Sequence, residues 1–156
     1  MRRKTKHQRR IEEFMIRGDQ VAQVAQEVGL PHDLIRRFRA GLILEEALEL
    51  VRALGFFVEV RRVGDKTPAE LTYVGGADLI GIADGCADLS VVTIGTLSAC
   101  GIADDGLLKE VDLNNMSKVA EGVHHDPQTG KILKPPGWRP PDIERVLRDQ
   151  GWKGKP

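Results

Sequence analysis

Two stretches of this sequence carry residue types and spacings that could do chemistry: Glu45-Glu46-x-x-Glu49 and Asp84-Gly85-Cys86-Ala87-Asp88. On a helix, Glu45 and Glu49 stand four residues apart and Glu46 and Glu49 three, so all are surface neighbours. Like charges so placed repel, and a divalent cation reverses the sign of that interaction. Taken alone, the motif is equally a solvated acidic face. Asp84 and Asp88 also stand four apart, on one face of an otherwise apolar stretch. Burying two carboxylates without a cation is expensive; a salt bridge to arginine or a capping role would answer the same cost. Two acidic helices facing each other predict an all-oxygen cage suited to Mg²⁺ or Mn²⁺ rather than zinc. Cys86 and Cys100 are far apart and His124-His125 falls in a Gly/Pro/Lys-rich arm, which argues against zinc.

A third group supplies positive charge. Asn114-Asn115-Met116-Ser117-Lys118 ends a helix, and Gly130-Lys131-Ile132-Leu133-Lys134-Pro135-Pro136-Gly137-Trp138 follows in the arm. Lysines and amides so arranged can close over phosphates, although each lysine alone is equally a solvated surface charge. Trp138 could cover a base or anchor the arm. Gly130-Lys131 is not a Walker A loop, since it lacks the upstream glycine and the following Ser or Thr.

The elements that must position these groups read as helices. The 156 residues amount to one domain, residues 1–121 a helical core and 122–156 an arm with a short terminal helix. Apolar periodicity predicts helix over 3–28, weakened at Gly18, and a second helix capped by Asp33 and running to Leu54. Residues 56–74 alternate and predict a hairpin turning at Gly64-Asp65. The stretch from Ala77 to Cys100 predicts a core helix buried on most sides and closed by Gly101. Helices over 104–119 and from a cap at Asp142 to about Gln150 complete an all-α bundle.

Lys plus Arg and Asp plus Glu each total 23, so net charge is zero and bulk attraction to nucleic acid or membrane is not expected. Every uninterrupted apolar run is far short of a membrane span, and no apolar segment follows the basic N-terminus as a secretory signal would require. Cys86 and Cys100 read as small buried thiols of one helix, too far apart to pair, in a reducing cytoplasm. The charge is uneven: residues 1–40 hold ten basic and five acidic residues, a net +5, so the remainder carries −5.

Leu42-Ile43-Leu44-Glu45-Glu46-x-x-Glu49-Leu50 resembles the first motif of the MazG-like, all-α NTP pyrophosphohydrolases. Ala83-Asp84-Gly85-Cys86-Ala87-Asp88-Leu89, with Val92 and Gly95-Thr96, resembles the second. Asn115-Met116-Ser117-Lys118, Gly130-Lys131-x-x-Lys134 and Pro140-Pro141-Asp142-Ile143 resemble the tail of small, often phage-encoded members. The resemblance spans roughly residues 36–147. It implies hydrolysis of a nucleoside triphosphate to the monophosphate and pyrophosphate, in a homodimer or homotetramer of the bacterial or phage-infected cytoplasm, on sites that can include a neighbouring chain. It implies Glu46, Glu49 and Asp88 as metal ligands and Glu45 as the group that orients or deprotonates the attacking water. Asn115 and Lys118 would meet the phosphates, with Lys131 and Lys134 beside them. The usual fourth ligand falls on Gly85, so Asp84 would have to take over, and Asp112 replaces a tail histidine and receives no role. Guanine and deoxyuridine nucleotides are both known substrates in related enzymes.

A second reading comes from Val21 to Phe38, which resembles a helix-turn-helix, with the Arg2–Arg10 cluster available for DNA phosphates. Against it, the would-be recognition helix runs on into Glu45, Glu46 and Glu49. The plainer alternatives are an ordinary helix–helix turn at Gly29-Leu30-Pro31 and a frayed, solvated N-terminus.

Overall fold

The computed structural model describes residues 2–60, 69–120 and 122–154. In chain order the elements are α1 (Lys6–Arg17), α2 (Asp33–Ala53), β1 (Phe56–Val60), β2 (Ala69–Tyr73), α3 (Leu79–Ala99), α4 (Asp104–Ser117) and α5 (Ile143–Asp149). This is the mainly helical fold with a small hairpin that the periodicity predicts. β1 and β2 pair antiparallel, Phe56 opposite Tyr73 and Val58 opposite Leu71. The expected turn at Gly64-Asp65 lies outside the described residues.

α1 starts at Thr5, whose side chain accepts from the Gln8 N–H, and ends at Gly18, eleven residues before the expected stop. Asp19 follows with φ of 58°, a left-handed conformation that no helix continues through. Beyond it, Val21–Gln23 makes one 3-10 turn and residues 24–32 are irregular. The expected helix over 19–28 is therefore not formed, and neither is the first helix of the expected helix-turn-helix. His32 rather than Asp33 caps α2, accepting from Leu34 N–H.

α2 and α3 run antiparallel and make the most extensive contact of the fold. Small residues on α3 set their spacing. A Cβ at Gly81 would meet Ala53, one at Gly85 would meet Leu50, and one at Gly95 would meet Arg39. Glu46 and Asp88 thus fall opposite each other between these pairs. α1 crosses α3 further along, where Ile11, Met15 and Ile94 form the buried apolar cluster with Val24, Val91 and Leu97 around it.

α3 departs from the expectation of burial on most sides. Gly85, Val92, Ile94, Gly95, Ser98 and Ala99 are buried, whereas Leu79 and Ile80 are about four-fifths exposed. α3 is also long and apolar enough to cross a membrane by length and composition alone, which no uninterrupted apolar run suggests. Asp84 and Asp88 interrupt it. Cys86 is exposed, not buried as expected, and Cys100 is half-buried; burial pushes the Cys100 thiol above its ordinary pKa.

The basic N-terminus is tied down rather than frayed. Arg2 donates to the Gln26 and Gly101 carbonyls, and Lys4 pairs with Glu12 at 2.7 Å. The turn after α3 fits here only because residue 101 is glycine: its φ is 67° and a Cβ would lie 2.0 Å from the Glu27 carbonyl oxygen. The fully buried Gln8 stitches this corner, donating to Ser98 Oγ at 3.0 Å and the Ile102 carbonyl at 2.7 Å. Its Oε1 accepts from Asp104 N–H at 2.9 Å.

Candidate active site

α2 presents Glu45, Glu46 and Glu49 toward α3, because 3.6 residues per turn sets Glu46 on the face carrying Arg39, Leu42 and Leu50 and leaves Glu45 and Glu49 at its edge. α3 answers with Asp88 opposite Glu46 and Asp84 one turn earlier. Glu46 is half-buried, while Glu45, Glu49, Asp84 and Asp88 are exposed. The aspartates therefore do not bear the burial cost expected from the sequence. Desolvation, and then the charges of Asp88, Glu49, Glu45 and Asp84, push the Glu46 carboxyl above its ordinary pKa. The other four carboxylates thus all act on Glu46 at the α2–α3 seam. None of the five side chains takes part in a hydrogen bond or ion pair among the described residues.

The donor set fits a hard divalent cation, being carboxylate oxygen throughout. Among the described residues no three acidic, histidine or cysteine side chains already converge to ligating distance. Glu45, Glu49, Asp84 and Asp88 are exposed, and a ligand shell would require their side chains to change rotamer. At Gly85 the helices lie close: a Cβ there would lie 3.1 Å from Leu50 Cβ. A carboxylate has no place at this point, and Asp84 is the acidic side chain next to it.

A cavity of about 350 Å³ opens beside the carboxylates. Glu46 and Asp88 line it together with Phe14, Phe38, Gln20 and Arg39. Arg39 is 5% exposed, and this buried cation escaped the sequence reading. Its Nη2 makes only long contacts, 3.4 Å each, to Met15 Sδ and Gln20 Oε1, and its Nε has no partner among the described residues. Burial lowers its pKa below the ordinary guanidinium range. The only sequence signal was an arginine seven residues before Glu46, on the same helical face.

The basic groups gather elsewhere. Lys118 donates to Asn115 Oδ1 at 2.8 Å and lies 5.3 Å from the Trp138 ring centroid, with Lys134 on the same ring at 4.5 Å. The arm is organised by a His125–Ile132 bridge, and Lys131 accepts at its carbonyl from Asp126 N–H at 2.8 Å. Trp138 lines an open cavity of about 420 Å³, together with Ser117 and Arg139. Among the described residues no contact joins Asn115, Lys118, Lys131 or Lys134 to the carboxylates. A further cavity, about 480 Å³ and lined by Val28, Cys100 and Trp152, holds none of the five acids.

No known family model matches the chain, and no curated protein matches it.

Proposed function

We propose that this chain is a metal-dependent nucleotide pyrophosphohydrolase, releasing pyrophosphate from a nucleoside or deoxynucleoside triphosphate. The observation that carries the reading is the unneutralised set of five carboxylates across the α2–α3 seam, coupled through Glu46 and opening on a cavity that holds a buried arginine. Glu46, Glu49, Asp84 and Asp88 would hold Mg²⁺ or Mn²⁺, which when bound lowers the pKa of water and offsets phosphate charge. Glu45, exposed beside them, would take the proton of the attacking water. Oxygen then bonds to the α-phosphorus as the bond to the α,β-bridging oxygen breaks, yielding the monophosphate and pyrophosphate.

Charge on the phosphates calls for Asn115, Lys118, Lys131 and Lys134, which belong to α4 and the arm. A second copy of the chain is their natural route to the cage. Leu34, Phe38, Leu44 and Leu48 form one exposed apolar stripe along α2, and Leu113 and Met116 are exposed on α4. Such faces support a homodimer or homotetramer.

Pyrophosphate release from each common NTP and dNTP and from dUTP, with Mg²⁺ or Mn²⁺ and with EDTA as control, tests the reading. Metal-dependent release from at least one triphosphate is expected; silence across the panel from folded protein would overturn it.

A further inference from the structure

The zero net charge of the chain is the sum of two unlike parts, +5 over residues 1–40 and −5 over the remainder. At physiological salt an exposed charge is felt over about 8 Å, so a ligand meets the local patch and not the sum. The basic part is concentrated on α1. The inward side of α1 is Gln8, Ile11 and Met15, and its outward side carries Lys6, Arg9, Arg10 and Arg17, all exposed. At about 100° per residue, Lys6, Arg10 and Arg17 fall within roughly 40° of one line, along about 16.5 Å of helix axis. Glu13, the acid on this side, is taken up by Arg17, and Glu12 by Lys4. Lys6 and Arg10 have no hydrogen-bond or ion-pair partner among the described residues, and Arg9 donates to the Lys4 carbonyl rather than to an acid.

An aromatic ring stands beside this row of cations. Phe14 follows Arg10 by four residues and precedes Arg17 by three, so both arginines are its surface neighbours. It is 66% exposed, and it lines the cavity of about 350 Å³ together with Phe38, itself 43% exposed. Two rings thus border one recess at the edge of the basic face. Cations set among exposed rings are what an unpaired nucleic-acid strand requires: charge for the phosphates and flat faces for bases that have no partner to stack in a duplex. A lipid surface requires a different helix. α1 spends its apolar side on the core through Ile11 and Met15, which leaves it no continuous apolar face to enter a bilayer. A duplex requires an element that enters a groove, whereas the segment ahead of α2 is irregular rather than helical, and paired bases keep their faces hidden.

We propose that the outward face of α1 is a platform for single-stranded nucleic acid, with Lys6, Arg10 and Arg17 on the phosphates and Phe14 stacked on a base. The platform does not choose among bases, since every base has a face to stack. Glu46 and Asp88 border the same cavity and, without a metal, repel phosphate, so the strand runs along α1 rather than across to α2. Binding here uses neither the carboxylates nor turnover, and the inference stands apart from the pyrophosphohydrolase reading.

The experiment is fluorescence polarisation of a labelled oligodeoxythymidine of about 20 nucleotides, long enough for one binding site, titrated with the full chain in EDTA. A duplex of the same length and vesicles containing phosphatidylserine are the comparison ligands. Saturable binding of the single strand at about 50 mM salt is expected, at least roughly tenfold tighter than of the duplex. Three phosphate contacts predict that log affinity falls against log salt with a slope of about −2. The double variant Lys6→Glu, Arg10→Glu should weaken binding by at least roughly tenfold and flatten that slope. Lys6 opens α1, where glutamate suits the helix dipole, and circular dichroism confirms that the variant is folded. Phe14→Ala should cost roughly tenfold, and Phe14→Trp, which keeps a ring, should restore it. No binding by the wild-type chain at low salt, duplex binding as tight as single-strand binding, or capture by vesicles without strand binding would each overturn the proposal with no variant required. Unchanged binding in both the charge-reversed and the Phe14→Ala proteins would overturn it as well. Because metal is absent throughout, the outcome is independent of the pyrophosphate panel, and failure of one reading leaves the other standing.

Discussion

Gly85 lies against Leu50 so closely that an added Cβ would come within 3.1 Å of the Leu50 Cβ and 3.2 Å of its Cα. This contact sets the α2–α3 spacing at the level of the acidic residues. Alanine at this position would gain up to about 1 kcal/mol of helix propensity. The atoms it meets, however, are the backbone and first side-chain carbon of Leu50, which no rotamer change removes. Overpacking of this kind costs about 1–3 kcal/mol. Gly85→Ala is therefore expected to be net destabilising and to lower Tm by a few degrees, roughly 2–4 °C for each kcal/mol lost. Thermal unfolding followed by circular dichroism measures it; an unchanged or raised Tm would mean the helices can part. Gly85→Glu, which adds a longer side chain against the same Leu50 atoms, should be worse still.

Glu46 gives the carboxylate set a pH signature. Its folded pKa stands above the ordinary 4.5, first from desolvation and then from Asp88, Glu49, Glu45 and Asp84. The folded state then holds the proton more tightly than the unfolded one. Its contribution to stability is full below the unfolded pKa and is lost as pH rises through the raised folded value. Metal-free wild-type protein should accordingly lose stability relative to Glu46→Gln as pH rises from below the ordinary 4.5 through the raised folded value. Denaturant unfolding below pH 4.5 and at neutral pH, with EDTA present, gives the comparison, and a difference of the opposite sign would show that Glu46 is held by a partner instead.

The same variant tests the cage as a ligand site. Glu46→Gln is expected to abolish pyrophosphate release while leaving the helical spectrum intact. A metal that binds only the folded chain raises its stability by about 2.7 kcal/mol at a hundred times its dissociation constant. Mn²⁺ should thus raise the Tm of the wild type and leave that of Glu46→Gln nearly where it was. Full activity in the variant, or an equal Mn²⁺ shift in both, would remove Glu46 from the ligand set.

Away from the site, Gln8 holds the corner where α1, the end of α3 and the start of α4 meet. Gln8→Ala strips partners from Ser98 Oγ, the Ile102 carbonyl and Asp104 N–H, all at a fully buried position. Each unmet buried group costs about 1–3 kcal/mol, less what water recovers. A loss of roughly 2–4 kcal/mol in equilibrium denaturation is expected, with Thr5, whose N–H and Oγ donate to Asp104 at 2.7 and 2.6 Å, loosened together with it.

These positions differ in how far the sequence exposes them. α2 and α3 are legible because long apolar periodicity and two acidic motifs coincide on them, and the hairpin because Phe57-Val58-Glu59-Val60 alternates. The early end of α1 is not legible: Val21, Val24 and Val28 keep helical spacing, but the chain turns left-handed at Asp19 and packs the segment irregularly against the α3–α4 turn, Ala25 N–H donating to the Ser98 carbonyl at 3.0 Å. The exposure of α3 at Leu79 and Ile80 is not legible either, because periodicity reports an apolar face without saying whether this chain covers it. Glu46, Asp88 and their neighbours are visible as motifs, since carboxylates four apart are conspicuous. Arg39 is not, because its meaning depends on Gly95 and Gln20, which meet it only in three dimensions.

The arm offers an optical readout of triphosphate binding. Lys118 and Lys134 lie over the Trp138 ring at 5.3 and 4.5 Å, and Trp138 Nε1 is buried without a partner among the described residues. A cation over an indole face contributes only about 0.5–1 kcal/mol at an exposed site. A phosphate group accepting from a lysine is a stronger partner, about 1.5–3 kcal/mol. When triphosphate binds, both lysines should therefore leave the ring for the phosphates, and Trp138 emission should change. The chain has two tryptophans, so the titration is run in Trp152→Phe, with Trp138→Phe as the silent control. Lys118→Ala should raise KM roughly tenfold, the equivalent of 1.4 kcal/mol, with a smaller effect on kcat. An emission change that survives removal of both lysines would show that the arm moves as a body instead, and an unchanged KM would leave Lys118 as the anchor of Trp138 alone.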